Sequence, residues 1–90
     1  MKFEYYVLSG EAKQTDSLEN WNKAWEEFKE ALKPTGLEML FYGSPFGTHD
    51  GGMCVLKGNV ADFEAVFGDP KIQFGMKIPL INYSTTLILV

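Results

Sequence analysis

The chain reads as an α+β protein with the order β-α-β-β-α-β, a four-stranded antiparallel sheet carrying two helices on one face. Three observations predict it. Phe3, Tyr5 and Val7 alternate with Glu4, Tyr6 and Leu8, the period of a strand. Leu18, Trp21, Trp25, Phe28 and Leu32 recur at three and four residues, one continuous helical stripe. The strands also carry apolar residues on both faces, where a half-solvated antiparallel strand alternates apolar with polar.

The elements follow in order. Residues 2–9 form the first strand. Asp16 is the expected N-cap of the first helix, with Glu19 three residues on in capping-box spacing. Pro34 forbids continuation of that helix and Gly36 permits the reversal. In residues 37–43, Leu37, Met39 and Phe41 alternate with Glu38, Leu40 and Tyr42, a second strand. Residues 43–52 are rich in turn formers, and residues 53–57 make a short third strand, so the two strands form a hairpin with a long connection.

Asn59 caps a short helix that carries Val60, Phe63, Val66 and Phe67 on one side, ended by Gly68-Asp69-Pro70. Ile72, Phe74, Met76 and Ile78 alternate with Lys71, Gln73, Gly75 and Lys77. That pattern predicts an extra strand or an extended loop over 71–82, with Pro79 favouring an edge or a break. Residues 83–90 form the last strand. In this split βαβ order the last strand lies at a sheet edge. An edge reading Thr85-Thr86-Leu87-Ile88-Leu89-Val90, left bare, invites pairing with another chain.

Composition sets bounds. Ninety residues are expected to make one domain, residues 1–90. A chain this small buries only roughly 60–65% of the surface its unfolded form exposes. Yet 46% of its residues are apolar and 14% aromatic, so association is an outlet for the excess. The two faces of the sheet need cover and two helices coat only one. The expected partner is a second copy, joined through the sheet face.

The net charge is −4, and all eight basic residues are lysine. Arginine grips phosphate and guanine in bidentate fashion, so its absence weighs against nucleic acid and acidic membranes as partners. Cys54 is the only cysteine, and no intramolecular disulfide can form. The first residues show no signal-peptide pattern and no apolar run is long enough to cross a bilayer. The expectation is a cytoplasmic protein.

The pattern over residues 3–8, 18–32, 37–57, 60–67 and 83–90 resembles the dimeric α+β barrel superfamily within the ferredoxin-like fold. The resemblance covers nearly the whole chain and rests on pattern rather than on a motif. It implies two subunits packed sheet against sheet, and a pocket between sheet and helices in each. Members include small monooxygenases, haem-degrading enzymes, lactone isomerases and ligand-sensing domains. No member's catalytic set matches residue by residue, and fold alone does not assign an activity.

His49 is the only histidine and sits beside Asp50 in the glycine-rich connection. It reads either as a general acid or base at a pocket mouth or as a solvent-exposed turn residue. Tyr42 is the third candidate, as a phenol facing a ligand or as packing. Tyr42, His49 and Asp50 are therefore the candidate catalytic residues. One histidine, one cysteine and one adjacent aspartate supply no metal-ligand spacing, and no cofactor motif is present. Cys54 reads as a small core residue, or as a nucleophile if a basic neighbour lowers its pKa.

Two functions follow as expectations. One is binding or turnover of a small apolar or aromatic molecule, in the manner of a cofactor-free monooxygenase or an isomerase. The other is a non-catalytic dimeric module for sensing or protein interaction.

Overall fold

The computed structural model describes residues 3–13, 17–45 and 51–89. They form β1 (Phe3–Ala12), α1 (Leu18–Leu32), β2 (Glu38–Gly43), β3 (Gly52–Lys57), α2 (Val60–Phe67), α3 (Pro70–Gly75) and β4 (Leu80–Leu89). The class is α+β. The strands make one antiparallel sheet in the order β2-β3-β1-β4, which leaves β2 and β4 at the edges.

Capping fixes the helix bounds. Ser17 caps α1, its hydroxyl accepting the Asn20 N–H at 3.1 Å, so the cap lies one residue later than the Asp16 suggested by the sequence. After Leu32 the chain tightens into a 3₁₀ turn over Lys33–Thr35 that contains Pro34, and Gly36 reverses it at φ +89°. Asn59 caps α2 as expected, accepting the Asp62 N–H at 2.8 Å.

The region 71–82 departs from expectation. It begins with a third helix, not a strand or an extended loop. Asp69 accepts the Lys71 N–H at 2.9 Å and Pro70 takes the first helical position, where its missing N–H costs nothing. The observed order is thus β-α-β-β-α-α-β. Apolar alternation here does not mark a buried face: Phe74 is 88% exposed.

The register answers which side of the sheet meets the helices. Met39, Leu56, Tyr6 and Leu87 align across the four strands, and Tyr42, Cys54, Leu8 and Thr85 align in the next inward row. Against this face pack Trp25, Phe28 and Leu32 of α1 and Phe63 and Val66 of α2. Tyr6 stacks on Phe63 with centroids 4.2 Å apart and donates its hydroxyl to the Gly58 carbonyl at 3.1 Å. Leu18, first in the helical stripe, is 73% exposed, so the stripe is buried only from its middle onward.

The opposite face carries the rows Phe41, Val55, Val7, Thr86 and Glu38, Lys57, Tyr5, Ile88. None of these residues belongs to the main core cluster. A register shift between Met39 and Phe41 makes Leu40 an extra residue in β2. The bulge is why Met39 and Tyr42, three apart, both face the helices while Phe41 faces away.

Gly10 sets how closely β4 approaches β1. A Cβ at that position would lie 2.6 Å from the Tyr83 Cα, a backbone atom that cannot yield cheaply. Gly43 has nothing within 4 Å of the same point. Gly10→Ala should therefore lower stability by about 1–3 kcal/mol, and Gly43→Ala should change it by less than about 0.5 kcal/mol, in urea unfolding.

Candidate functional site

Two groups of side chains could carry function. The first surrounds Tyr42, on the inward face near the end of β2. Its ring stacks on Trp25 at 5.4 Å and 9°, and Trp21 meets it edge-on at 5.6 Å. Its hydroxyl lies 3.2 Å from Glu26 Oε1 and 3.4 Å from Asn22 Oδ1, acceptors on successive turns of α1. Burial, then the Glu26 charge and the hydrogen bond to it, hold the Tyr42 phenol above its ordinary 10.0. The phenol is therefore protonated at neutral pH. It can donate a proton or a hydrogen bond but cannot serve as a phenolate base.

Beneath it, the indole N–H of Trp25 is buried with no acceptor among the described residues. Of the three candidate catalytic residues, only Tyr42 is described. His49 and Asp50 lie outside the described residues. Gly43 pairs with Met53, and the Ser44 hydroxyl donates to the Gly51 carbonyl at 3.1 Å, so both ends of the connection that carries them meet one residue beyond Tyr42.

The second group lines a cavity of about 500 Å³ between α3, the start of β4 and the end of β1. Its inner wall is Ile78 and Leu80, both nearly fully buried. Tyr83 and Gln73 supply polar atoms: the Gln73 amide donates to the Tyr83 hydroxyl, which leaves the phenol's own proton available. Burial above all holds the Tyr83 phenol above 10.0, against the lowering effect of the Gln73 hydrogen bond. Exposed Phe74, Lys13 and Lys77 complete the wall.

Local backbone explains how the second group comes together. The Lys13 N–H donates to the Pro79 carbonyl at 3.1 Å, tying the end of β1 to the turn before β4. Lys77 and Asn82 adopt left-handed φ values of 55° and 51°, on either side of the buried Ile78 and Leu80. Such non-glycine residues persist where surrounding structure over-determines them, and they concentrate at functional sites. Sequence reasoning missed this cavity, because it took 71–82 as extended. Asp69-Pro70, an N-cap followed by proline at the first helical position, was the signal available.

Cys54 sits in the core. It is fully buried between Leu8 and Tyr42 in the sheet register. Burial pushes its thiol up from an ordinary 9.0 to about 12, with only a backbone hydrogen bond from Leu8 pulling the other way. Among the described residues no group of three or more His, Cys, Asp and Glu is placed to hold a metal ion, and no helix is long and apolar enough to cross a membrane. Neither protein-family models nor curated protein sequences give a match to this chain.

The raised thiol and phenols give a pH dependence with a definite sign. Cys54 ionises more readily unfolded than folded, so the stability it contributes is complete below pH 9 and is lost as pH climbs toward about 12. Tyr6, Tyr42 and Tyr83, all raised, act in the same direction above their ordinary 10.0. The urea midpoint should hold steady up to pH 9 and fall beyond it. Cys54→Ala should start lower but show a shallower alkaline fall.

Proposed function

We propose that this chain is a ferredoxin-like subunit that pairs through its sheet face into a homodimeric α+β barrel, and that each subunit binds a small, largely apolar molecule in the cavity between α3 and β4. The cavity carries the binding reading. Its volume, about 500 Å³, falls within the roughly 300–1,000 Å³ of small-molecule sites. Its wall joins an apolar inner surface to a few convergent polar groups, the usual composition of such sites.

Pairing is supported by the outward rows of the sheet. Phe41 is 57% exposed and Ile88 40% exposed, on a face that none of the helices in the main core reaches. Half-buried Val7 and Met53 lie on the same side, around a buried Val55. A two-fold dimer places this surface against itself, so one sequence supplies both halves of the contact.

A second reading is turnover of an aromatic substrate by Tyr42 as proton donor, with His49 and Asp50 as the acid–base pair. The observation favouring it is the Ser44–Gly51 hydrogen bond, two residues beyond Tyr42 of the Trp21–Trp25–Tyr42 cluster. His49→Ala and Tyr42→Phe should then abolish any turnover detected; intact turnover in both variants removes these residues from the site.

Sedimentation equilibrium tests the pairing. The wild-type chain should sediment as a dimer, and Phe41→Asp combined with Ile88→Glu should sediment as a folded monomer. A wild-type monomer contradicts the barrel. For the cavity, Gly75→Trp fills its mouth at a position where a Cβ meets nothing within 4 Å. The variant should fold normally and lose binding of small apolar molecules.

A further inference from the structure

We infer that the ligand of the α3–β4 cavity is an amphipathic monoanion, an apolar body ending in a carboxylate; the inference rests on the binding reading above and names the chemical class. Charge carries it. The ionisable residues with formal charge in the cavity wall are Lys13 and Lys77, and no aspartate or glutamate lines it among the described residues. In a chain of net charge −4, with twelve acidic residues to eight basic, a wall that gathers only cations runs against the composition. Among the described residues neither lysine has an ion-pair partner.

Hydrogen bonding and shape agree. Tyr83 receives the Gln73 amide and keeps its own O–H, a neutral donor at working pH, while each lysine brings three donors and no acceptor. The polar part of the wall is therefore rich in donors and cations, the complement of a carboxylate. Ile78 and Leu80 offer an apolar surface behind it, and Phe74, 88% exposed on α3, can lie across the body of a bound molecule. A phosphate fits less well. No arginine exists in the chain to grip one in bidentate fashion, and most of the remaining wall is apolar.

The backbone gives the lysines a defined place. Lys13 is anchored through its own N–H to Pro79, and Lys77 sits in the left-handed turn between α3 and β4. Both are exposed, so replacing them removes charge without opening the core.

The test compares matched probes by amide N–H correlation spectra: phenylbutyrate against phenylbutyramide, and decanoate against decanamide. The carboxylate of at least one pair should bind about tenfold more tightly than its amide, the weight of one charge-assisted hydrogen bond, with shifts centred on Ile78, Leu80 and Tyr83. Lys13→Gln combined with Lys77→Asn, which tolerates the left-handed turn, should abolish that preference while leaving the unfolding midpoint unchanged. Equal binding of acid and amide in both pairs overturns the carboxylate assignment and leaves the binding reading standing. No shifts with any of the four probes overturns both.

Discussion

One layer of helices covers one face of a sheet whose other face also carries apolar side chains. Everything else about the molecule follows from how that imbalance is met. α1 and α2 bury the Tyr6, Leu8, Cys54, Leu56 face, and the core they close is continuous from Leu32 to Leu80. The Tyr5, Val7, Phe41, Val55 face receives no helix. Among the described residues no further helix or strand lies over it. Apolar surface favours burial at about 25 cal/mol per Å², which supports the proposed second copy as its cover.

The same burial decides the chemistry. Removing Cys54, Tyr6, Tyr42 and Tyr83 from water disfavours their charged forms, and in every one of these groups desolvation is the largest cause of the shift. A thiol activated as a nucleophile is shifted in the opposite direction. Of these four groups only Tyr83 lines the α3–β4 cavity, where its neutral phenol supports the proposed binding role. The cavity is built by α3, whose six residues turn the chain so that Gln73 reaches Tyr83 and the left-handed Lys77 leads into β4.

Much of this architecture was legible in the sequence. The stripe Trp21, Trp25, Phe28, Leu32 specified α1, because helical periodicity over that length has no competing reading, and Pro34 with Gly36 marked its end. Asn59 marked the start of α2. The inward face of β1 was not legible: Phe3, Tyr5, Val7 is the more hydrophobic set, since the other carries Glu4, yet Tyr6 and Leu8 enter the core, where Tyr6 bonds to Gly58 and stacks on Phe63. The bulge at Leu40 was hidden too, since a register shift leaves no mark on composition. α3 was misread because six residues are too few for helical periodicity to outweigh a chance alternation. The cavity went unseen with it. Of the candidate catalytic residues, Tyr42 proved to be engaged with Glu26 and stacked on Trp25, a pairing that depends on the bulge placing it inward.

Sheet-to-sheet pairing is the central claim, and intermolecular NOEs in a mixed sample, one half isotope-labelled, test it most directly. Contacts from the Val7 and Val55 methyls of one subunit to the Phe41 ring of the other are the predicted result. Intermolecular contacts confined to the outer edge of β4, or none at all, would contradict it.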